Sequence, residues 1–384
     1  MTEQDPGRGS DVVQSRLERR LSRGRGARTR RRSLLRRLLP LVALVVAVSG
    51  VVVVIETRPG PATGAKGASS STTSAAADPA TTLPATTTLP ATTTTAPPPY
   101  MPPSVAPTIS PALPGEGVWV AMDTWSPGPP SVMTTSFRPD PAQPTIVAYA
   151  SWIRSSTTQL ALYPGYEGPG PTAPTVDRGP EMVPTTARTS LLATFNSGFY
   201  EADSTAGFYA HGTLYDPMVD GLATVIQYAD GKVDVMDWHG GAAPGPTIEM
   251  ARQNLPLLVD ARAPTAAAND PTQWGLTLGG APAVWRTALG VDAKGNLVYV
   301  AAGSQTAASL AAILVQLGVV RGMQLDINPE WPIFATYGGP GAASPSLDVP
   351  NPNQIPNRFL YSSTKDFFAV FARQPGAVPV VQPW

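Results

Sequence analysis

Between Leu38 and Ile55 the chain reads LLPLVALVVAVSGVVVVI, eighteen residues without a charge. That is close to the minimum that crosses a bilayer as a helix. Arg30, Arg31, Arg32, Arg36 and Arg37 stand just before it, and Glu56 and Arg58 follow. The positive-inside rule then puts the N-terminus in the cytoplasm and everything after residue 58 outside. A cleaved signal peptide is the rival reading, with Ala47-Val48-Ser49 as a small-residue site. The Val run that follows this site and the long basic region favour an uncleaved anchor. A buried soluble helix fits poorly, because Pro40 and many β-branched Val residues interrupt it and no polar face exists.

Charge divides the chain the same way. Residues 1–37 hold twelve Arg against Glu3, Asp5, Asp11 and Glu18, so a net charge of zero hides a basic head and a mildly acidic remainder. An acidic body argues against nucleic-acid binding, which needs a basic face. Residues 57–113 are Thr, Pro, Ala and Ser with the near-repeat TTLPATTTLPATTTT. Such a segment has too little apolar surface to offset its ordering entropy and is expected to be a disordered stalk. The absence of Cys excludes disulfides and thiolate chemistry. The expected organisation is a cytoplasmic head at 1–37, a transmembrane anchor at 38–56, a linker at 57–113, a globular domain at 114–373 and a tail at 374–384. The expected location is the cell membrane, single-pass, with the domain extracytoplasmic.

Within the domain, short β-like runs dominate: GVWVAM at 117–122, TIVAYASWI at 145–153, QLALYP at 159–164, LLATFN at 191–196, LATVIQY at 222–228 and KVDVMDW at 232–238. Asp230-Gly231 and Lys294-Gly295-Asn296 are hairpin signals between such runs. Leu310, Ile313, Leu314 and Leu317 fall at helical spacing, with Ser304 as the expected N-cap and Gly318 as the terminating residue. VVRGMQLDI at 319–327 follows as a buried strand, which suggests one β-α-β crossover. The fold class expected is α+β: a mixed, mostly antiparallel β domain with few helices.

No phosphate-binding loop and no nucleophile elbow are present, and the only His residues are His211 and His239. Carboxylates, Asn and Arg remain, and these suit sugar and phosphate chemistry. They gather at three strand ends: Asn196-Ser197-Gly198, Arg286 in an otherwise apolar run, and Asp326-Ile327-Asn328-Pro329-Glu330. An extended backbone would put Asp326, Asn328 and Glu330 on one face unless Pro329 breaks it. Each also has a structural reading. Asn196 and Gly198 can simply form a turn, Arg286 can pair with Asp292 or another acid, Asp326 can cap a loop, and His211 and His239 can be satisfied core or surface residues.

These segments resemble the phosphodiester glycosidase family. FNSGFY at 195–200 is similar to its N-G-G-F motif, and NLPLLVD at 254–260 to a segment ending in Leu-Val. RTALGVDAKGNLVYVAAG at 286–303 and AASLAAILVQLGVVRGMQLD at 307–326 resemble its most specific stretches. The resemblance covers residues 115–372. It implies a hydrolase acting on a glycosyl–phosphate diester, such as a cell-envelope glycan would offer. Together with the reading of the residues, it makes Asp326, Arg286 and Glu330 the expected catalytic residues, and Asn196, Gly198, Asn328 and His211 the expected substrate-binding residues. It leaves a divalent cation open as cofactor. Ser197 replaces the first Gly of the motif, and Ile-Asn-Pro-Glu-Trp replaces the Gly-rich turn that usually follows Leu-Asp. A non-catalytic glycan-binding module on the same fold is the alternative.

Overall fold

The computed structural model describes residues 98–169, 178–275, 277 and 280–373. The apolar run at 38–55, the stalk up to residue 97 and the tail at 374–384 lie outside the described residues. Among the described residues no helix is long and apolar enough to cross a membrane.

In chain order the strands are β1 (Val120–Ala121), β2 (Val132–Phe137), β3 (Ala148–Ile153), β4 (Thr158–Tyr163), β5 (Leu191–Asn196) and β6 (Phe208–Ala210). Next come β7 (Thr213–Asp216), β8 (Ala223–Tyr228), β9 (Val233–Asp237), β10 (Ile248–Gln253), β11 (Leu257–Asp260) and β12 (Ala263–Pro264). The last are β13 (Val284–Asp292), β14 (Leu297–Gln305), β15 (Val319–Gln324), β16 (Phe334–Gly339), β17 (Ala343–Leu347) and β18 (Phe367–Ala372). Two α-helices are described, the single-turn α1 (Glu201–Ser204) and α2 (Ala307–Gln316).

The strands form three sheets. One has eight strands in the order β1-β2-β3-β14-β13-β15-β11-β12; the others have five each, β7-β6-β10-β8-β9 and β17-β16-β5-β18-β4. One core is shared by all three, with Leu289 and Tyr299 from the first, Val225 and Met250 from the second, and Phe195 and Phe368 from the third. The eight-stranded sheet is buried on both faces. Leu297 and Tyr299 point into the shared core, while Val298 and Val300 point to a second core under α2. Burial on both faces is why these strands read as continuous apolar runs instead of alternating ones.

The expected hairpins are present: β8 pairs with β9, and β13 with β14. The mixed sheet is corrected. Every strand pair described is antiparallel, because β13 lies between β14 and β15 and pairs antiparallel with both. The crossover through α2 therefore joins two mutually parallel strands that never touch. The expected N-cap is also corrected. Ser304 sits within β14 at φ 53°, a left-handed conformation incompatible with an N-cap. The cap is Thr306, which accepts from Ser309 N at 3.1 Å while Ser309 Oγ accepts from Thr306 N at 3.0 Å.

Residues 98–113, assigned to the stalk by composition, instead lie against the domain. Val105 is buried in the core under α2, and its amide donates to Gly117 O. The Arg138 guanidinium reaches Ile109 O and Pro111 O and pairs with Glu116 at 2.8 Å. Arg154 donates to Tyr100 O at 2.8 Å and lies over the Trp152 ring. A Pro-rich composition reports missing local structure, and carbonyls without local partners are what these two arginines bind.

Candidate functional site

Five strand ends meet at one pole of the domain: the ends of β5, β10 and β15, and the starts of β13 and β18. Chain direction alternates between neighbours, so residues far apart in sequence converge there.

Asp326 follows β15 and is buried. One carboxylate oxygen is paired with the Lys365 ammonium, and the other accepts from Asn328 N at 2.8 Å. Burial pushes the Asp326 carboxyl above its ordinary range, and Lys365 offsets this only in part. Lys365 also donates to Gly198 O at 2.8 Å. Its ammonium lies 4.4 Å from the Tyr200 ring centroid and 5.4 Å from that of Trp331. These two half-buried rings meet edge to face at 6.3 Å. Beside this pair, Arg252 at the end of β10 binds Asp366 at 2.8 Å and donates to Phe199 O.

Gly198 is held by close approach. A Cβ there would stand 3.1 Å from Asn254 Oδ1. Asn254 accepts from Phe199 N and donates to Gln324 O at 2.7 Å, so it ties the loop after β5 to the end of β15.

Arg286, in β13, is 4 % exposed. Its Nε donates to Gln305 O at 2.8 Å and its Nη1 to Gln324 Oε1 at 2.5 Å. Both acceptors are neutral, and among the described residues no carboxylate pairs with it. Burial pushes the guanidinium down to about 10, so it stays charged at neutral pH. The other end of the Gln324 amide, Nε2, is buried without a partner. Leu325 N donates to Thr287 O at 2.8 Å. Carried one residue further, that register sets Asp326 across from Arg286, although no bond joins their side chains. Asp292, the partner considered for Arg286, is instead occupied by Trp152 Nε1 and the backbone amides of the β13–β14 turn.

The Asn196 side chain is fully engaged by the protein. Its Nδ2 donates to Thr287 Oγ1 and Ser197 O, and its Oδ1 accepts from Tyr299 Oη and Ile333 N. That uses its full capacity and makes it a tie between sheets. Asp326, Asn328 and Glu330 do not share a strand face either. Asn328 Oδ1 accepts from Glu330 N and its carbonyl from Trp331 N, closing a turn that leaves Asn328 half-buried and Glu330 exposed. His211 sits in the β6–β7 turn with Nε2 3.1 Å from Leu162 O, outside the Asp326 cluster; burial lowers it to about 4, so it is neutral. Among the described residues no group of three or more His, Asp or Glu is placed to hold a metal.

Sequence reasoning missed Lys365, Asp366, Arg252 and Asn254. The available signal was Lys365-Asp366, two charges directly before the apolar strand FFAVFA, the same pattern that marked Asp326.

No family model matches the chain, and no curated protein matches it. Among solved structures it is similar to the catalytic domain of zebrafish N-acetylglucosamine-1-phosphodiester alpha-N-acetylglucosaminidase, auto-inhibited by its pro-peptide. That match has 16% identity and a TM-score of 0.42, and covers 67% of this chain and 88% of the other. A hypothetical protein from Synechocystis matches at 13% identity and TM-score 0.37, over 64% of each chain. A putative exported protein from Burkholderia pseudomallei matches at 12% identity and TM-score 0.35, over 59% of this chain and 74% of the other.

Proposed function

We propose that this domain hydrolyses a glycosyl–phosphate diester of a cell-envelope glycan, with Arg286 holding the phosphate. The observation that carries the reading is the buried Arg286 guanidinium, without a counter-anion among the described residues, beside an unpartnered Gln324 Nε2. A buried charge without a partner is costly, and an entering oxyanion would satisfy both donors at once. In the reaction the bond between the anomeric carbon and the phosphate oxygen breaks. Water supplies the new hydroxyl, and the Asp326 carboxylate takes its proton. The leaving phosphate monoester has a second pKa of about 6, so it departs without a strong general acid. This fits a site whose other buried carboxylate, Asp366, is paired with Arg252 and whose Glu330 is exposed. An Asp326 raised by burial is matched to base catalysis nearer neutral pH.

One observation favours the glycan-binding alternative: both Asp326 oxygens are already engaged, by Lys365 and by Asn328 N. Incubating the full-length protein with a panel of sugar-1-phosphodiesters separates the two. Release of free sugar that stops in Arg286→Met and in Asp326→Asn supports hydrolysis. Saturable binding without release supports the module, and neither result would leave the phosphate reading without basis.

A further inference from the structure

We propose that Lys365 is the positioning residue of the site: it holds the Asp326 carboxylate ionised inside the domain and latches the loop after β5 to the end of β15. The inference rests on the reading of Asp326 as the proton acceptor and names the group that makes that role feasible. Lys365 comes from the start of β18, on a different sheet from Asp326. Its side chain is 3% exposed and that of Asp326 is 4% exposed, so water does little for either charge. The ammonium makes two polar contacts, to Asp326 and to Gly198 O, and the Tyr200 and Trp331 rings cover it. The rings stabilise a cation through their faces and keep solvent from the pair.

The charged groups around Asp326 are few. From the start of β18 come Lys365 and Asp366. Asp366 is spoken for by Arg252 from β10, and its charge opposes ionisation of Asp326. Tyr200 from the loop after β5 adds a phenol that burial keeps protonated. Lys365 is therefore the one cation in direct contact with the Asp326 carboxylate among the described residues. Without it Asp326 would be a buried carboxylate beside another acid, and it would bind a proton instead of accepting one from water. The Gly198 contact adds a geometric role, because the same ammonium fixes the loop that carries Tyr200.

The test uses the full-length protein and three variants: Lys365→Met, Lys365→Arg and the double variant Lys365→Met with Asp326→Asn. Lys365→Met should melt roughly 10 °C lower than wild type at pH 8, since it strands a buried charge. Stranded Asp326 has a folded pKa well above its unfolded value, so stability returns as pH falls through that folded value. The gap to wild type should then narrow by at least half at pH 5. The double variant should recover most of the loss at pH 8, and Lys365→Arg should keep a melting temperature close to wild type. If Lys365→Met fails to fold while the double variant folds, the proposal is supported. A gap that does not change with pH, or a double variant no more stable than the single one, overturns it. Inorganic phosphate binding to the wild-type protein is measured in parallel. Binding with no rescue condemns the Lys365 role alone, and rescue with no phosphate binding condemns the functional reading alone.

Discussion

Arg286 and Gln324 hold one another across two strands, guanidinium to amide oxygen at 2.5 Å, and neither brings a negative charge. Replacing Arg286 by Met therefore strands no partner charge. Relief of the buried cation should offset much of the cost of the two lost hydrogen bonds, so unfolding free energy should change by only about 1–2 kcal/mol. Wild type should be stabilised by a phosphodiester ligand, by about 2.7 kcal/mol at a hundred times the Kd. The variant should show no such rise, which a thermal melt with and without ligand measures directly. A loss of roughly 3–5 kcal/mol on Arg286→Met would mean instead that the arginine serves an ion pair.

Gly198→Ala is expected to injure binding more than stability. The added methyl would face Asn254 Oδ1 at 3.1 Å and push the loop that offers its carbonyl to Lys365. Overpacking of this kind costs about 1–3 kcal/mol, and Asn254 can yield by a few tenths of an ångström. Ligand affinity should fall at least tenfold while the far-ultraviolet circular dichroism stays that of wild type. Unchanged affinity would separate the Gly198 loop from the site.

Much of the scaffold was legible because it obeys local rules. The turns at Asp230-Gly231 and Lys294-Asn296 announce hairpins, and Leu310, Ile313, Leu314 and Leu317 announce α2. The site was only half legible. Asp326 and Arg286 stood out because they interrupt apolar segments that are otherwise buried. Lys365 and Asp366 precede one, and a charge at a strand start reads by default as surface. Asn196 drew attention as a ligand residue for the same reason that it is structural: a buried polar side chain at a strand end must have partners, and here four protein groups supply them. The packing of residues 98–113 was illegible by composition, because Arg138 and Arg154 bind backbone carbonyls and carbonyls carry no sequence signature.

The strap formed by residues 98–113 should loosen in acid. Glu116 accepts from Arg138 through its side chain and backbone amide, and from Leu113 N. The Arg138 guanidinium holds its carboxyl down to about 2 from an ordinary 4.5. A depressed acid contributes stability that is fully present above its unfolded value and is lost as pH falls through the folded one. The contribution should therefore be complete above pH 4.5 and disappear towards pH 2. Trp119, whose indole donates to Pro103 O, offers a fluorescence reporter of strap release. Glu116→Gln should show the released signal already at neutral pH, and a flat profile between pH 4.5 and 2 in wild type would rule out this clasp.

The two poles of the domain should differ in their tolerance of insertions. Strand β13 runs from Arg286 at the site to the Lys294–Asn296 turn, eight residues and about 26 Å away at the usual strand rise. The turn pole gathers the ends of the described chain. Ser155 Oγ donates to Gly295 O at 2.6 Å, Arg373 N donates to Thr157 O at 2.8 Å, and Arg154 holds Tyr100 O. Register agrees in the neighbouring sheet, where β18 starts beside Asn196 at the site and ends beside Thr158 at the turn pole. Both ends of the domain thus leave from the pole opposite Arg286, Asp326 and Lys365. A four-residue Gly-Ser insertion after Lys294 should leave ligand affinity within about twofold, because it does not reach across a rigid sheet. The same insertion after Pro329, in the turn that places Trp331 over Lys365, should lower affinity at least tenfold. Titration of one phosphodiester ligand against wild type and the two insertion variants reads all of this. Strong weakening by the Lys294 insertion, with little effect at Pro329, would place the binding site at the wrong pole.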